Sequence, residues 1–271
     1  MIEATRATRD GVTLVGATAH GVTFGFTERT GGVSAAPYAS LNLGSHVGDD
    51  PAAVEENRRR VLAALDAEEL LLRLLVPNQV HGDHVACVRS PDPEALDELR
   101  RELASGTDAV VCVTPDVPVM LCFADCVPVI LVCPGGFAVV HSGWKGTYAR
   151  IAARAAEVLA REAGVSPHAI EAFIGPHIRG DEYEVSQELK DQFVAEFPVL
   201  AAPSAGPHDR LLNLALAIRS ALEEAGLAPE AVHDLGLSTL SSPERFFSYR
   251  GEAGRCGRHG AVAVMREKAG E

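Results

Sequence analysis

The hydrophobic positions of this chain fall into short, nearly continuous apolar runs separated by longer amphipathic stretches. The apolar runs are rich in β-branched residues, which is typical of β-strands buried on both faces. They predict strands at residues 22–26, 109–113, 119–123, 129–133, 137–140, 172–174, 232–237 and 260–265.

The amphipathic stretches predict helices between these strands. Asp50 is a favourable N-cap residue and Pro51 a favourable first-turn residue, so a helix is expected to begin there and run to about Asp66. Apolar residues at helical spacing predict further helices at residues 148–163, 186–197 and 211–226. The alternation predicts an α/β (α+β) fold, with helices covering mixed β-sheets.

The distribution of loop-forming residues predicts one domain. Glycine, proline and small polar residues concentrate at residues 30–45 and 201–209, and the chain has no internal repeat or low-complexity segment. No hinge divides the chain between these loops, and 271 residues are compatible with one large domain. We therefore expect a single domain covering residues 1–271.

Composition narrows the functional classes. A hydrophobic fraction of 47% supports a buried core rather than disorder. The 37 acidic residues exceed the 24 basic residues, and the formal charge of −13 argues against binding to nucleic acid or to an anionic membrane surface. No run approaches the ~18 apolar residues of a membrane span, and no secretory signal is visible. The six cysteines lack a CxxC pair and are interpreted as reduced thiols of a cytoplasmic protein.

Three reactive side chains stand at the ends of apolar segments: His81, Cys126 and His141. Such residues project into the loops where ligand sites are commonly assembled. Two imidazoles and a thiolate are good zinc ligands, and three protein ligands with one open position are typical of catalytic zinc. The residue types alone leave two alternatives, a metal-free Cys–His catalytic pair or ordinary polar residues of the core.

Two basic residues are candidates for binding an anion. Lys145 lies in a glycine-containing turn between a predicted strand and a predicted helix, where free N–H groups favour phosphate or carboxylate. Arg58 lies on the apolar face of the first predicted helix, where its charge requires an anionic partner. A structural carboxylate is the alternative partner for Arg58, and simple solvent exposure is the alternative for Lys145. Asp125 precedes Cys126 and is a candidate for orienting a histidine ligand.

Several short motifs occur in order from about residue 24 to about residue 265. They are residues 26–34 (FTERTGGVS), 38–49 (YASLNLGSHVGD), 78–82 (NQVHG), 124–128 (ADCVP), 141–146 (HSGWKG), 174–176 (IGP), 183–185 (YEV) and 246–250 (FFSYR). With these motifs the chain resembles the laccase-domain proteins of the YfiH/YlmD type, also called the polyphenol oxidase family.

The resemblance implies a metal site formed by His81, Cys126 and His141. We take Cys126, His141 and Asp125 as the catalytic candidates. It implies a sandwich-like α/β fold, distantly similar to cysteine hydrolases of the CNF-toxin type. Family members are described as zinc-dependent enzymes that phosphorolyse adenosine, inosine and methylthioadenosine and that deaminate adenosine. A bacterial member is linked to peptidoglycan editing, and a homodimer is expected. The candidates for binding the purine nucleoside and phosphate are then Ser45, Arg58 and Lys145.

Zinc-dependent nucleoside chemistry fits the residues better than a multicopper oxidase. Such an oxidase needs many histidines in close pairs, whereas none of the ten histidines forms an HxH motif. Copper is still a second candidate ion for the same ligands, because Cu²⁺ binds most sites more tightly than Zn²⁺. Two further alternatives stay open. One is an amidase or hydrolase that acts on peptidoglycan precursors through Cys126 and His141, and the other is a non-catalytic, zinc-stabilised interaction domain.

Overall fold

A computed structural model of the chain describes residues 2–201 and 210–266. The predicted loop at residues 201–209 therefore lies, apart from Ala201, outside the described residues. The strands are β1 (Thr5–Arg9), β2 (Val12–Ala19), β3 (Val22–Thr27), β4 (Val85–Val88), β5 (Ala109–Cys112), β6 (Val119–Phe123), β7 (Val127–Cys133), β8 (Gly136–Ser142), β9 (Glu171–Ile174), β10 (Val232–Asp234) and β11 (His259–Met265). The α-helices are α1 (Pro51–Ala64), α2 (Pro93–Ser105), α3 (Trp144–Tyr148), α4 (Ile151–Ala163), α5 (Gln187–Glu196) and α6 (Leu214–Glu224).

The strands form two sheets. One is antiparallel, with the order β1-β2-β3-β11-β6. The other has the order β10-β9-β7-β8-β5-β4 and is mixed, because β10 pairs parallel with β9 and β4 pairs parallel with β5. Helices pack on these sheets, so the predicted α/β (α+β) class with mixed sheets is confirmed.

Strand β7 illustrates how the two sheets share the core. Val129 and Leu131 pack in a cluster with side chains of α4 and α6. Ile130 and Val132 pack in another cluster with Phe24 of β3. Successive strand side chains point to opposite faces, so β7 is covered by helices on one face and by the antiparallel sheet on the other. This double burial accounts for its continuous apolar run.

The helices follow the predictions in part. Asp50 caps α1 by accepting the N–H of Ala52, as its N-cap position predicts. The helix predicted at residues 148–163 is confirmed as α4 (Ile151–Ala163), but its predicted start is three residues early, because Tyr148 ends the separate short helix α3. Between them Arg150 adopts a left-handed φ of 60°, which interrupts the helix. The pattern also did not predict β1, β2, β4 and α2.

The helices and cysteines bear on the broad class of protein. Within residues 2–201 and 210–266, no helix is both long and apolar enough to cross a bilayer. All six cysteines are free thiols. Four are buried, and Cys87 and Cys126 are half-buried.

Candidate functional site

His81, Cys126 and His141 converge although they are far apart in the sequence. Their candidate ligand atoms all lie within 4.8 Å of one another. The Cys126 Sγ is 3.7 Å from the His81 Nε2, and the two imidazole centroids are 4.8 Å apart. Two ligands of a tetrahedral zinc ion with bonds of about 2.0–2.3 Å lie about 3.5 Å apart, so this spacing fits one ion.

Strand pairing brings two of these residues together. Cys126 immediately precedes β7 and His141 lies in β8, where the antiparallel register sets Pro128 opposite His141. His81 comes from a loop, and its backbone has a left-handed φ of 59°. Asp125 has a φ of 86°. Non-glycine residues in this conformation are uncommon and concentrate at functional sites.

One buried carboxylate holds both histidines in place. Asp108 is fully buried, and its Oδ1 lies 2.7 Å from the His141 Nδ1. The same carboxylate accepts the backbone N–H groups of Val80, His81 and Gly82 at 3.1, 3.0 and 2.8 Å. It therefore fixes the loop that carries His81 and keeps the Nδ1 proton on His141, which leaves the His141 Nε2 for a ligand.

The surrounding charges favour a thiolate at Cys126. Burial raises the pKa of this thiol, but the His141 charge and hydrogen bonds from both histidines outweigh that effect and lower the pKa to about 6. Burial lowers the pKa of His141, whereas Cys126 and Asp108 raise it to about 9. The thiolate is the form of cysteine that binds metals and attacks electrophiles, so the site is suited to either role.

The three residues line an open cavity of about 480 Å³. This volume lies within the range of about 300–1,000 Å³ that is typical of small-molecule sites. Tyr249 is 55% exposed, which places it at the rim of the cavity. The lining residues are His46, Gln79, His81, Cys122, Ala124, Asp125, Cys126, His141, Ile178, Tyr183, Tyr249, Arg250 and Arg258.

A second cavity of about 630 Å³ adjoins the first. Ser45 and Arg58, two of the predicted substrate-binding residues, line this second cavity. Arg58 donates from Nε and Nη2 to the carbonyl oxygen of Leu43 at 3.1 and 2.8 Å, so a backbone oxygen replaces the predicted anionic partner. The residues shared by the two cavities are His46, Gln79 and Cys122.

Lys145 does not reach the site. Its side chain is exposed, its ammonium nitrogen lies 5.5 Å from the ring centroid of Trp144, and it lines neither cavity. The predicted role assumed a long helix beginning near Thr147. Thr147 instead belongs to the one-turn α3, and its hydroxyl hydrogen-bonds to that of Ser142. The structure therefore does not bring Lys145 together with the other candidates.

Asp125 lies in the cavity wall but does not orient a histidine. Its carboxylate accepts the Thr239 hydroxyl and the Arg250 backbone N–H, both at 2.6 Å. Asp108 takes the orienting role that the sequence analysis assigned to Asp125. Sequence reasoning missed Asp108, and a lone carboxylate before an apolar strand is a weak signal. It also missed Arg258, whereas other missed wall residues lie within the motifs that carried the resemblance: His46, Gln79, Tyr183, Tyr249 and Arg250.

Comparison with known proteins decides the family. Residues 23–266 match the family described as multi-copper polyphenol oxidoreductase laccase. The chain belongs to this laccase-domain family. A purine nucleoside phosphorylase of Deinococcus radiodurans is 39% identical over 269 residues, which cover 97% of each chain. The purine nucleoside phosphorylase YlmD of Bacillus subtilis is 34% identical over 90% of this chain and 88% of its own.

Two solved structures share the fold of this laccase-domain chain. The Bacillus licheniformis protein YfiH has a TM-score of 0.83 at 30% identity and matches 95% of this chain and 97% of its own. YlmD of Geobacillus stearothermophilus has the same TM-score and identity, over 98% and 100% of the two chains. The resemblance to the YfiH/YlmD type is confirmed. Although the family description names several coppers, the described residues contain one group of three or more side chains at metal-binding spacing.

Proposed function

We propose that this laccase-domain protein is a zinc-dependent purine nucleoside phosphorylase. The observation that carries the proposal is the convergence of His81, Cys126 and His141 beside an open cavity of about 480 Å³. The names of the relatives from D. radiodurans and B. subtilis, at 39% and 34% identity, support the reaction class. We include adenosine, inosine and methylthioadenosine as substrates, because all three present a purine joined to ribose.

The donor set at this point suits zinc. Two imidazole nitrogens and a thiolate are preferred zinc ligands, and three ligands facing a cavity match a catalytic rather than a structural centre. Asp108 supplies the hydrogen bond that commonly orients a ligating imidazole. Zinc, when bound, supplies Lewis-acid chemistry at its open position. Cu²⁺ would use the same donors, so we assign polyphenol oxidation to the copper-loaded protein as a side activity.

The cavity wall offers groups for a nucleoside. Tyr183 and Tyr249 present aromatic surface on which a purine ring can stack. Asp125 is fixed by two hydrogen bonds of 2.6 Å and holds the loop that leads to Cys126. During phosphorolysis the departing purine gains negative charge, and the guanidinium of Arg250 in the same wall favours that charge.

Deamination of adenosine is the second activity that we assign to this site. In deamination, water adds at purine C6, the bond from C6 to the amino group breaks, and ammonia leaves, so no phosphate is needed. Phosphorolysis instead breaks the bond from ribose C1′ to the purine. The same cavity would have to bind the nucleoside in two orientations. The two activities are therefore separable by their products and by their dependence on phosphate.

Product analysis with metal-defined protein tests the proposal. Adenosine is incubated with and without phosphate, and adenine is separated from inosine by chromatography. Phosphate-dependent adenine from protein with one zinc per chain supports the phosphorylase, and phosphate-independent inosine supports the deaminase. If zinc-loaded protein forms neither adenine nor inosine, the proposal is wrong.

Two cysteine variants provide the matched comparison. Cys126→Ala removes a zinc ligand and is expected to abolish both stoichiometric zinc and turnover. Cys87→Ala removes another half-buried thiol, which lines neither cavity, and is expected to retain both. Equal zinc contents in the two variants would contradict the assignment of Cys126.

A thiol-dependent amidase acting on peptidoglycan precursors is the second candidate. It is favoured by the pKa of Cys126, lowered to about 6 by the histidines despite burial, and by the buried Asp108 that orients His141. Cysteine hydrolases likewise combine a thiolate nucleophile, a histidine base and a residue that orients the histidine, the roles that Cys126, His141 and Asp108 would take here. Metal-free protein that is alkylated at Cys126 and hydrolyses muropeptide amides would support this candidate. Unfolding on chelation, without turnover of either substrate class, would instead indicate a zinc-stabilised interaction domain.

A further inference from the structure

The wall between the two cavities carries positive charge that no carboxylate of the described residues pairs with. Arg258 lines the first cavity, Arg58 lines the second, and His46 lines both. No described carboxylate lies within ion-pair distance of either guanidinium, although the exposed Glu55 also lines the second cavity. Partly buried charges without partners are unfavourable, so this wall is suited to an anion.

The backbone of residues 43–46 holds these groups on one wall. The carbonyl of Leu43 accepts both hydrogen bonds from Arg58. The backbone N–H of Leu43 donates to the carbonyl of Arg258 at 3.0 Å. Gly44 leaves room for the contact, because a Cβ there would lie 2.8 Å from the Arg258 Cγ and 3.3 Å from the His46 Cε1. The three basic side chains therefore form one corner, which we call the basic corner (His46, Arg58 and Arg258).

Free donors remain in the basic corner. Arg258 uses its Nη1 on the carbonyls of Cys256 and Gly257, both at 2.9 Å. Its Nε and Nη2 donate to no acceptor in residues 2–201 and 210–266. Partial burial lowers the pKa of His46, and the charges of Arg258 and Arg58 lower it further, so the three groups act on one another electrostatically.

We propose that the basic corner is the oxyanion subsite that binds the attacking phosphate, an inference that rests on the proposed phosphorylase function. Guanidinium groups present forked N–H donors that match the oxygens of a phosphate. Arg258 and His46 of the corner line the cavity that His81, Cys126 and His141 also line, and Arg58 borders the adjoining cavity, so phosphate bound at the corner lies next to the space for the nucleoside. The exposed Lys145 has no part in this subsite.

The reaction at this subsite balances without another reactant. A phosphate oxygen forms the new bond to ribose C1′ as the bond from C1′ to the purine nitrogen breaks. The electron pair of the broken bond stays on the purine. The purine nitrogen then takes up, by way of solvent, the proton that the phosphate releases. The basic corner holds the phosphate oxygens that do not react and so aims the attacking oxygen.

Titration of zinc-loaded protein with inorganic phosphate tests the subsite without requiring turnover. Arg58→Met and Arg258→Met are each expected to weaken phosphate binding by about 10–100-fold, because each removes charge-assisted hydrogen bonds. Their KM for phosphate is expected to rise by a similar factor and by more than the KM for adenosine, while the zinc content stays at the wild-type value. Arg60→Met removes the same charge from the same helix, but Arg60 pairs with Glu56 outside both cavities and serves as the matched control.

Gly44→Ala is a second route to the same conclusion. It keeps both arginines but forces Arg258 to move, so weaker phosphate binding by this variant supports the proposal even where an arginine variant fails to fold. Wild-type phosphate affinity in Arg58→Met and Arg258→Met overturns the proposal. So does a loss confined to Arg250→Met, since Arg250 packs on Tyr183 and lies outside the basic corner.

The two proposals fail in different ways. If the wild type binds phosphate through the basic corner but forms no adenine, the subsite stands and the phosphorylase function is wrong. If adenine forms and both arginine variants keep the wild-type KM for phosphate, the function stands and the subsite is wrong.

Discussion

The carboxylate of Asp108 accepts a hydrogen bond from the Nδ1–H of His141 across 2.7 Å, with both side chains buried. The same carboxylate receives three backbone N–H groups from the loop that carries His81. One side chain therefore sets the positions of two of the three candidate zinc ligands. It also determines which nitrogen of His141 is available to a metal ion.

We expect Asp108→Asn to weaken zinc binding by about 10–100-fold, the usual cost of losing a group that orients a metal-ligating histidine. The amide keeps the shape of the carboxylate but has one acceptor oxygen in place of two, so it cannot serve both His141 and the His81 loop. Competition with a chromophoric chelator measures the affinity. Asp83→Asn, which breaks the exposed Asp83–Arg154 ion pair, is the control. Indistinguishable zinc affinities in the two variants would refute the role of Asp108.

Gly143 is required by space rather than by backbone conformation. Its φ of −73° and ψ of 176° are open to any residue, yet a Cβ there would lie 2.9 Å from the His81 Cδ2 and 3.2 Å from the Cys126 Sγ. In Gly143→Ala, the added methyl group would push His81 and Cys126 out of position. We therefore expect zinc occupancy and turnover to fall by at least about 10-fold, because small shifts of ligating and reacting groups are costly. Metal analysis and product chromatography measure both effects.

The control for Gly143→Ala is Gly82→Ala. A Cβ at Gly82 would make only ordinary contacts of 3.4 Å with Asp108 and Val80. Full zinc occupancy in both variants would mean that the site adjusts to a methyl group at position 143, contrary to the expectation.

Strand β7 was predicted from the sequence and strand β1 was not, and the two strands differ in how far their side chains are buried. Strand β7 is buried on both faces, so its apolar run marked it, and the predicted start at Val129 was two residues late. Strand β1 (TRATR) has every residue exposed and forms through antiparallel pairing with β2. No periodicity within β1 itself indicates a strand, because its hydrogen bonds depend on a partner outside its own sequence.

The sequence predicted those residues of the site whose side-chain type is enough to indicate their chemistry. His81, Cys126 and His141 were selected because imidazole and thiolate side chains bind zinc. Asp108 was missed because its function arises only when a loop 26–28 residues earlier folds onto it. Lys145 was favoured because a turn before a helix was expected to bind an anion, whereas the helix there is a single turn and Lys145 lines neither cavity.

Glu28 ties the end of β3 to two arginines from distant parts of the chain. It is 2% exposed and accepts hydrogen bonds from Arg6 at 2.7 and 2.8 Å and from Arg245 at 2.8 Å. Burial raises the pKa of Glu28, but these bonds outweigh it and the pKa is lowered. Glu28→Gln is expected to reduce the free energy of unfolding by about 1.5–3 kcal/mol, measured by urea denaturation near neutral pH.

The pH dependence of that difference follows from the lowered pKa of Glu28. The contribution of the carboxylate is fully present above its unfolded pKa of 4.5 and is lost as the pH falls through the lower folded pKa. The gap between wild type and Glu28→Gln should therefore narrow in acid. Glu56→Gln, which removes a more exposed ion-paired carboxylate, is expected to cost less stability than Glu28→Gln. A gap for Glu28→Gln that is constant down to strongly acid pH would contradict this account.

We expect buried His259 to lower the stability of the protein in acid. It is fully buried, neither ring nitrogen has a hydrogen-bond partner among the described residues, and burial lowers its pKa from 6.5 to about 3. The unfolded chain binds the proton first, so stability is full above about pH 6.5 and falls by about 1.4 kcal/mol for each pH unit below it, until about pH 3. In the metal-free protein, His259→Leu should therefore gain stability over the wild type as the pH is lowered, which urea denaturation at several pH values measures. The exposed His84→Leu controls for removing any imidazole. A difference between wild type and His259→Leu that is the same at every pH would mean that folding does not change the pKa of His259.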